Sequence, residues 1–99
     1  MRVTTQGRIH ALNEKYDNGR FRKVPVILKV PGERFDQYIT VEFQQGKSEE
    51  VPSVGTEVEI VFEVKGNLDR NNSSKAWNSL VVHECNVLSG ASETNGNPF

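Results

Sequence analysis

Aromatic residues stand beside basic residues at several points in this chain. Aromatic rings offer flat surfaces on which nucleic-acid bases stack, and Lys and Arg side chains neutralise the phosphates between those bases. The densest example is the run Arg20-Phe21-Arg22-Lys23. The predicted phosphate-binding residues are Arg8, Lys15, Arg20, Arg22, Lys23, Arg70 and Lys75, and the predicted stacking residues are Tyr16, Phe21, Tyr38 and Trp77.

The charged residues are unevenly distributed, although the net charge is only −1. Residues 1–48 carry nine Lys or Arg and five Asp or Glu, whereas residues 49–99 carry three and eight. A chain polarised in this way can present a basic face despite an acidic total. The alternative is chance clustering on a solvated surface.

The residues that catalysis requires are scarce. The chain has two histidines, His10 and His83, and one cysteine, Cys85, and it contains no nucleophile, metal-binding or phosphate-loop motif. His83 and Cys85 are two positions apart, which predicts one shared strand face, but a metal site needs further ligands. We therefore predict a protein that is not an enzyme and has no cofactor or metal, with Cys85 as a small buried apolar residue or an inert surface thiol.

Five extended runs separated by turn-rich breaks must position these residues, at 2–12, 20–30, 35–43, 56–65 and 76–88. Apolar residues alternate with polar ones, as in strands with one buried face. The predicted core faces include Val24, Val26, Leu28 and Val30 in the second run, Phe35, Ile39, Val41 and Phe43 in the third, Val58, Ile60, Phe62 and Val64 in the fourth, and Leu80, Val82 and Leu88 in the fifth. Glu57, Glu59 and Glu63 then form an outward acidic stripe, expected to lie away from any phosphates.

The breaks complete this prediction. Asn18-Gly19 signals a tight turn, a short helical turn fits around residues 48–51, and residues 66–75 form a long polar tip. Pro25 has no N–H, which predicts an edge, a bulge or an unpaired position. The pattern favours an all-β, five-stranded Greek-key barrel of the OB-fold type over residues 1–88, followed by a flexible tail over 89–99; an SH3-like barrel is the structural rival.

The second half of the barrel resembles the single-stranded DNA-binding proteins of OB type from bacteria and bacteriophages, in a short variant. The resemblance lies in VGTEVEIVFEVKGN at residues 54–67, in AWNSL at 76–80 and in the early glycine Gly7. It implies that strands two and three and the two long loops line the DNA-binding face.

The ending Asn97-Pro98-Phe99 adds to this resemblance. Single-stranded DNA-binding proteins of bacteria typically end in Pro-Phe, which docks into pockets of replication and repair proteins. The resemblance thus implies partner binding by Pro98 and Phe99. In that family several acidic residues precede Pro-Phe, whereas Glu93 is the one acidic residue of the tail over residues 89–99.

These observations lead to one expected function and two alternatives. We expect a homo-oligomeric, cytoplasmic protein that coats single-stranded DNA during replication, recombination and repair, with no signal peptide or membrane-spanning run. One alternative is an OB-fold module that binds proteins and not DNA. The other is an RNA-binding protein of the cold-shock kind, although Arg20-Phe21-Arg22-Lys23 lacks the paired aromatic residues of that group.

Overall fold

Six β-strands and one short 3₁₀ helix make up the described part of the chain, residues 1–89 of the computed structural model. The strands are β1 (Arg2–Leu12), β2 (Tyr16–Asp17), β3 (Arg22–Val30), β4 (Gln37–Gln44), β5 (Glu57–Leu68) and β6 (Ala76–Ser89), and the 3₁₀ helix is Gln45–Glu49. Each of the five predicted runs overlaps one long strand, with ends that agree to within three residues, and β2 is an addition. No helix of residues 1–89 is both long enough and apolar enough to cross a membrane.

The strands form one all-β sheet that closes on itself. Its order is β1-β5-β6-β4-β3-β2, and β1 also pairs with β3, which joins the two sides into a ring of five strands. All pairings are antiparallel except that of β4 with β6, which is parallel and consists of the pair Glu42 and Val81. β2 extends β3 at the edge through Tyr16 and Asp17.

Gly7 allows the ring to close. β1 pairs with β5 up to Arg8 and with β3 from Arg8 onward, so it changes partner at this point. A Cβ atom at Gly7 would lie 2.6 Å from the carbonyl oxygen of Lys29 and 3.0 Å from Cγ of Leu28. Only glycine leaves room for β1 and β3 to approach this closely without a shift of the backbone.

The core fills the inside of the ring, and alternation along the strands builds it. The buried apolar residues are Ile9, Val24, Val26, Leu28, Val41, Phe43, Val58, Ile60, Phe62 and Val82. This set confirms most of the predicted inward positions of β3, β4 and β5, whereas Val30 and Val64 are only partly buried against the core. Burial of each large apolar side chain contributes roughly 1.5–3 kcal/mol, so this set supplies the main stabilising term of the fold.

Phe35 corrects the predicted core face of the third run. It is 74% exposed, whereas Phe43 is buried as predicted. The first residue pair between β3 and β4 is Val30 with Gln37. Phe35 therefore lies in the bend that follows Pro31-Gly32, ahead of the strand, where period-two alternation does not apply.

A bulge in β6 corrects the predicted faces of the fifth run. Val61 pairs with Glu84 and Phe62 with Val82, so His83 is the extra residue. An extra residue reverses the side on which the following residues lie. Cys85 therefore pairs with Ile60 and packs against the core, while Leu88, at a second register shift, is exposed. The predictions that His83 shares a face with Cys85 and that Leu88 lies inside were wrong.

The predicted unpaired position at Pro25 is confirmed. Pro25 pairs with Glu42 of β4 on one side. On the other side, β1 pairs with β3 as far as Val26 and β2 pairs with β3 from Lys23, so Pro25 lies in the gap between the two and has no ladder partner there. On that side its carbonyl accepts the backbone N–H of Asn13 at 2.9 Å. The helical turn predicted around residues 48–51 begins earlier, at Gln45, and β6 extends to Ser89, one residue past the predicted barrel boundary.

Candidate nucleic-acid interface

Four strands share a continuous outer surface, on the side of the sheet opposite the core. Residues paired across a sheet point to the same side. Arg8 of β1 pairs with Lys29 of β3, Lys29 also pairs with Tyr38 of β4, and Glu42 of β4 pairs with Val81 of β6. Trp77 lies on the side of Val81, because no register shift separates the two residues in β6. We call this surface, which β1, β3, β4 and β6 form on the side away from the core, the outer surface.

The first aromatic group lies where β2 meets β3. Tyr16 pairs with Lys23, and its ring centre is 6.4 Å from that of Phe21 in a tilted arrangement. The turn between them is fixed by Asn18, whose side-chain oxygen accepts the backbone N–H groups of Arg20 and Phe21, and by Gly19 at φ +90°. The predicted Asn-Gly turn thus brings Tyr16 and Phe21 together. Phe21 is half-buried beside Tyr16 and less open to solvent than predicted.

The second aromatic group joins Tyr38 to His10, which was not predicted as a site residue. The two rings meet edge to face, with centres 5.0 Å apart and an interplanar angle of 69°. Tyr38 is 54% exposed. A register shift in β1 between Ile9 and Ala11 places His10 in an irregular position beside β3. The sequence signal was its position on the same face as Arg8.

The third aromatic group lies at the tip of the hairpin formed by β5 and β6. Trp77 is 58% exposed, and its indole N–H donates to the Asp69 carboxylate at 3.0 Å. Lys75 Nζ lies 4.3 Å from the ring centre, a cation–π contact. The backbone N–H of Asn71 and the indole N–H of Trp77 lower the pKa of Asp69, because both hydrogen bonds favour the ionised carboxylate.

Most cations on β1 and β3 are paired with carboxylates in the free protein. Arg8 pairs with Glu57 at 3.0 Å, Lys23 with Glu42 at 3.5 Å, Lys29 with Asp36 at 3.4 Å, and Arg22 with Glu49. Three of these cations were predicted to bind phosphate. The outer surface therefore carries charges of both signs. Glu57 contacts Arg8 directly, so at this position the acidic stripe lies beside a predicted phosphate-binding residue.

The remaining predicted cations lie in exposed loops. Lys15 directly precedes β2, Arg20 lies in the turn between β2 and β3, and Arg70 and Lys75 belong to the hairpin tip. None of these four forms an ion pair with another residue of the described part. Pro98 and Phe99 lie outside the described residues, and their partner binding stays a prediction.

No group of three or more His, Cys, Asp or Glu side chains within residues 1–89 could hold a metal ion. Cys85 is half-buried against the core, and burial raises the pKa of its thiol, an effect that the charge of Lys47 opposes.

Comparisons with protein-family models, with curated proteins and with solved structures found no match to this chain.

Proposed function

We propose that this chain is an OB-fold protein that binds single-stranded DNA without strong sequence preference and is not an enzyme. The observation that carries the proposal is the placement of the aromatic residues. Tyr16, Tyr38 and Trp77 lie outside the core and are roughly half exposed or more. An exposed ring loses the stabilisation that burial would give, so three such rings beside cations favour a stacking role.

The order of the strands supports the OB-fold part of the proposal. Around the ring, β1 is followed by β3, β4, β6 and β5, and β5 returns to β1. The first three long strands are thus neighbours, and the last two form a hairpin that crosses back to β1. This order supports the proposal of a five-stranded Greek-key barrel of the OB type, a fold in which the second and third strands and two loops bind oligonucleotides.

The DNA would be held by two kinds of contact. Bases stack on Tyr16, Tyr38 and Trp77, each contact contributing about 1–3 kcal/mol. Unpaired loop cations such as Lys15, Arg20 and Arg70 neutralise phosphates, which makes binding weaken as salt concentration rises. One small domain covers few nucleotides, so we further propose that several copies act together to coat exposed strands during replication, recombination and repair.

A protein-interaction module is the second candidate. The ion pairs Lys23–Glu42 and Lys29–Asp36 place charges of both signs along β3 and beside it, which suits a protein partner better than a polyanion. In that case the exposed rings would be anchors for a protein surface.

Fluorescence separates these candidates, because Trp77 is the only tryptophan. Titration with poly-dT at low salt is expected to quench its emission, and the apparent affinity should fall as salt is added. Single-stranded DNA should compete better than double-stranded DNA or RNA of equal length. Trp77→Ala should weaken binding about tenfold or more, and Trp77→Phe, which keeps a ring, should weaken it less. The absence of both quenching and a gel shift at low salt would refute DNA binding and favour the protein-interaction module.

A further inference from the structure

A groove of about 420 Å³ opens beside the outer surface, between β1, the end of β3 and the beginning of β5. Its lining includes Arg8 and Lys29, which pair directly across the β1–β3 ladder. The same lining includes Glu57 and Asp36, which hold these two cations through the ion pairs described above. The four charges balance one another, so the groove is neutral overall in the free protein.

An aromatic ring adjoins this pair of cations. Lys29 pairs with Tyr38 on its other side, and Tyr38 contacts His10. Directly opposite residues in antiparallel strands have Cβ atoms only about 4.5–5.5 Å apart. A base stacked on Tyr38 therefore brings its own phosphate within reach of Lys29 and, one strand further, of Arg8.

We propose that the groove binds one phosphate of the DNA strand between Arg8 and Lys29, and that Glu57 and Asp36 compete with this phosphate. The inference rests on the proposed function and assigns a site to it. Each carboxylate contacts one cation, whereas a phosphate between the two strands contacts both. The carboxylates of Glu57 and Asp36 thus lower the affinity of the groove for DNA.

The exposure of the ion pairs makes such an exchange feasible. The side chains of Arg8 and Glu57 are 57% and 49% exposed, and those of Lys29 and Asp36 are each 43% exposed. Solvent-exposed ion pairs are weak, because water screens both charges. A phosphate can therefore displace the carboxylates without a large loss of stability, and removal of the carboxylate charges should tighten DNA binding.

The test compares charge removal inside the groove with equal charge removal elsewhere. The groove variant combines Asp36→Asn with Glu57→Gln, and the control combines Glu50→Gln with Glu84→Gln, two exposed positions outside the groove lining. Binding of a fluorescently labelled dT oligomer is measured at several salt concentrations for both variants and the wild type. We expect the dissociation constant of the groove variant to fall about tenfold, and that of the control by less than twofold.

A second pair of variants tests the cations. Arg8→Gln with Lys29→Gln should weaken binding more than Arg34→Gln with Lys47→Gln, which removes the same charge from positions outside the groove lining. If the wild type binds the oligomer but groove and control variants behave alike, the groove proposal is overturned and the proposed function stands. If neither the wild type nor any variant binds at low salt, both are overturned.

Discussion

The ammonium group of Lys75 lies over the indole ring of Trp77, 4.3 Å from its centre. Lys75 lies in the hairpin tip and Trp77 near the start of β6, and neither is buried. The hydrogen bond from the indole to Asp69 fixes the ring at a second point. The tip therefore presents an oriented aromatic ring, together with a cation, outside the core.

Acid should release the indole from Asp69. The pKa of Asp69 lies below its ordinary value of 3.8 because the Asn71 and Trp77 N–H groups donate to the ionised form. A lowered pKa means that the contribution of this group to stability is present above about pH 4 and is lost as the pH falls through the lowered value. We expect Trp77 emission to stay constant from pH 7 to about pH 4 and to change below that.

The variant Asp69→Asn is the control for this titration, because it removes the titrating group and should abolish the transition. A transition with its midpoint at pH 4 or above in the wild type, or one that persists in Asp69→Asn, would contradict the assignment.

Substitution of Gly7 should destabilise the fold. In Gly7→Ala the new methyl group meets the backbone of Lys29 and the side chain of Leu28, and crowding of this kind costs about 1–3 kcal/mol. Urea denaturation measures the loss as a lower midpoint. Gly46→Ala is the matched control, since its added Cβ has no atom within 4 Å apart from its chain neighbours and the backbone of its own helical turn, and it should change stability little. Equal midpoints for the two variants would show that β1 and β3 have room to separate.

Two phenylalanines that the sequence assigns to one strand face should differ sharply in their effect on stability. Phe43→Ala removes a buried ring and should lower the free energy of unfolding by about 3–5 kcal/mol. Phe35→Ala removes an exposed ring and should change it by about 0.5 kcal/mol or less. Thermal denaturation followed by circular dichroism distinguishes them. A comparable loss of unfolding free energy in both variants would mean that Phe35 is buried in the core.

The thiol of Cys85 should react slowly with alkylating reagents. Burial raises its pKa above the ordinary value of 9.0, and only the thiolate is nucleophilic. Any contribution of the Cys85 thiol to stability is thus fully present below the pKa of the thiol in the unfolded chain. It is lost as the pH rises through the higher pKa of the thiol in the folded protein. Reaction with iodoacetamide at pH 8 should be much slower in the folded protein than in urea. Lys47→Met should slow it further, because the opposing charge is lost. Equal rates for folded and unfolded chains would contradict the burial of Cys85.

Local alternation predicts those parts of the fold that depend on strand periodicity. Val24, Val26, Val58 and Ile60 lie where a period of two places them. The reversal at Cys85 could not be predicted in this way, because the extra residue His83 is defined only by the pairing of β6 with β5.

The candidate site could be predicted less completely than the core. Strand alternation placed Tyr38 away from the core face, and the position of Trp77 beside a polar loop predicted an exposed ring close to Lys75. The pairing of Arg8 with Glu57 joins residues far apart in the chain, so it depends on the register between β1 and β5. The contact between His10 and Tyr38 likewise requires the irregularity in β1.

The dual pairing of β1 has a consequence for biosynthesis. Residues 2–8 pair with residues 57–63, so in a chain synthesised from its N-terminus this strand stays without its β5 partner until residues 57–63 have been made. β3 and β4 can form a hairpin well before then. The nascent chain would thus expose the edge of β1 during translation, when an exposed edge can recruit other strands, and the arrival of β5 would end that exposure.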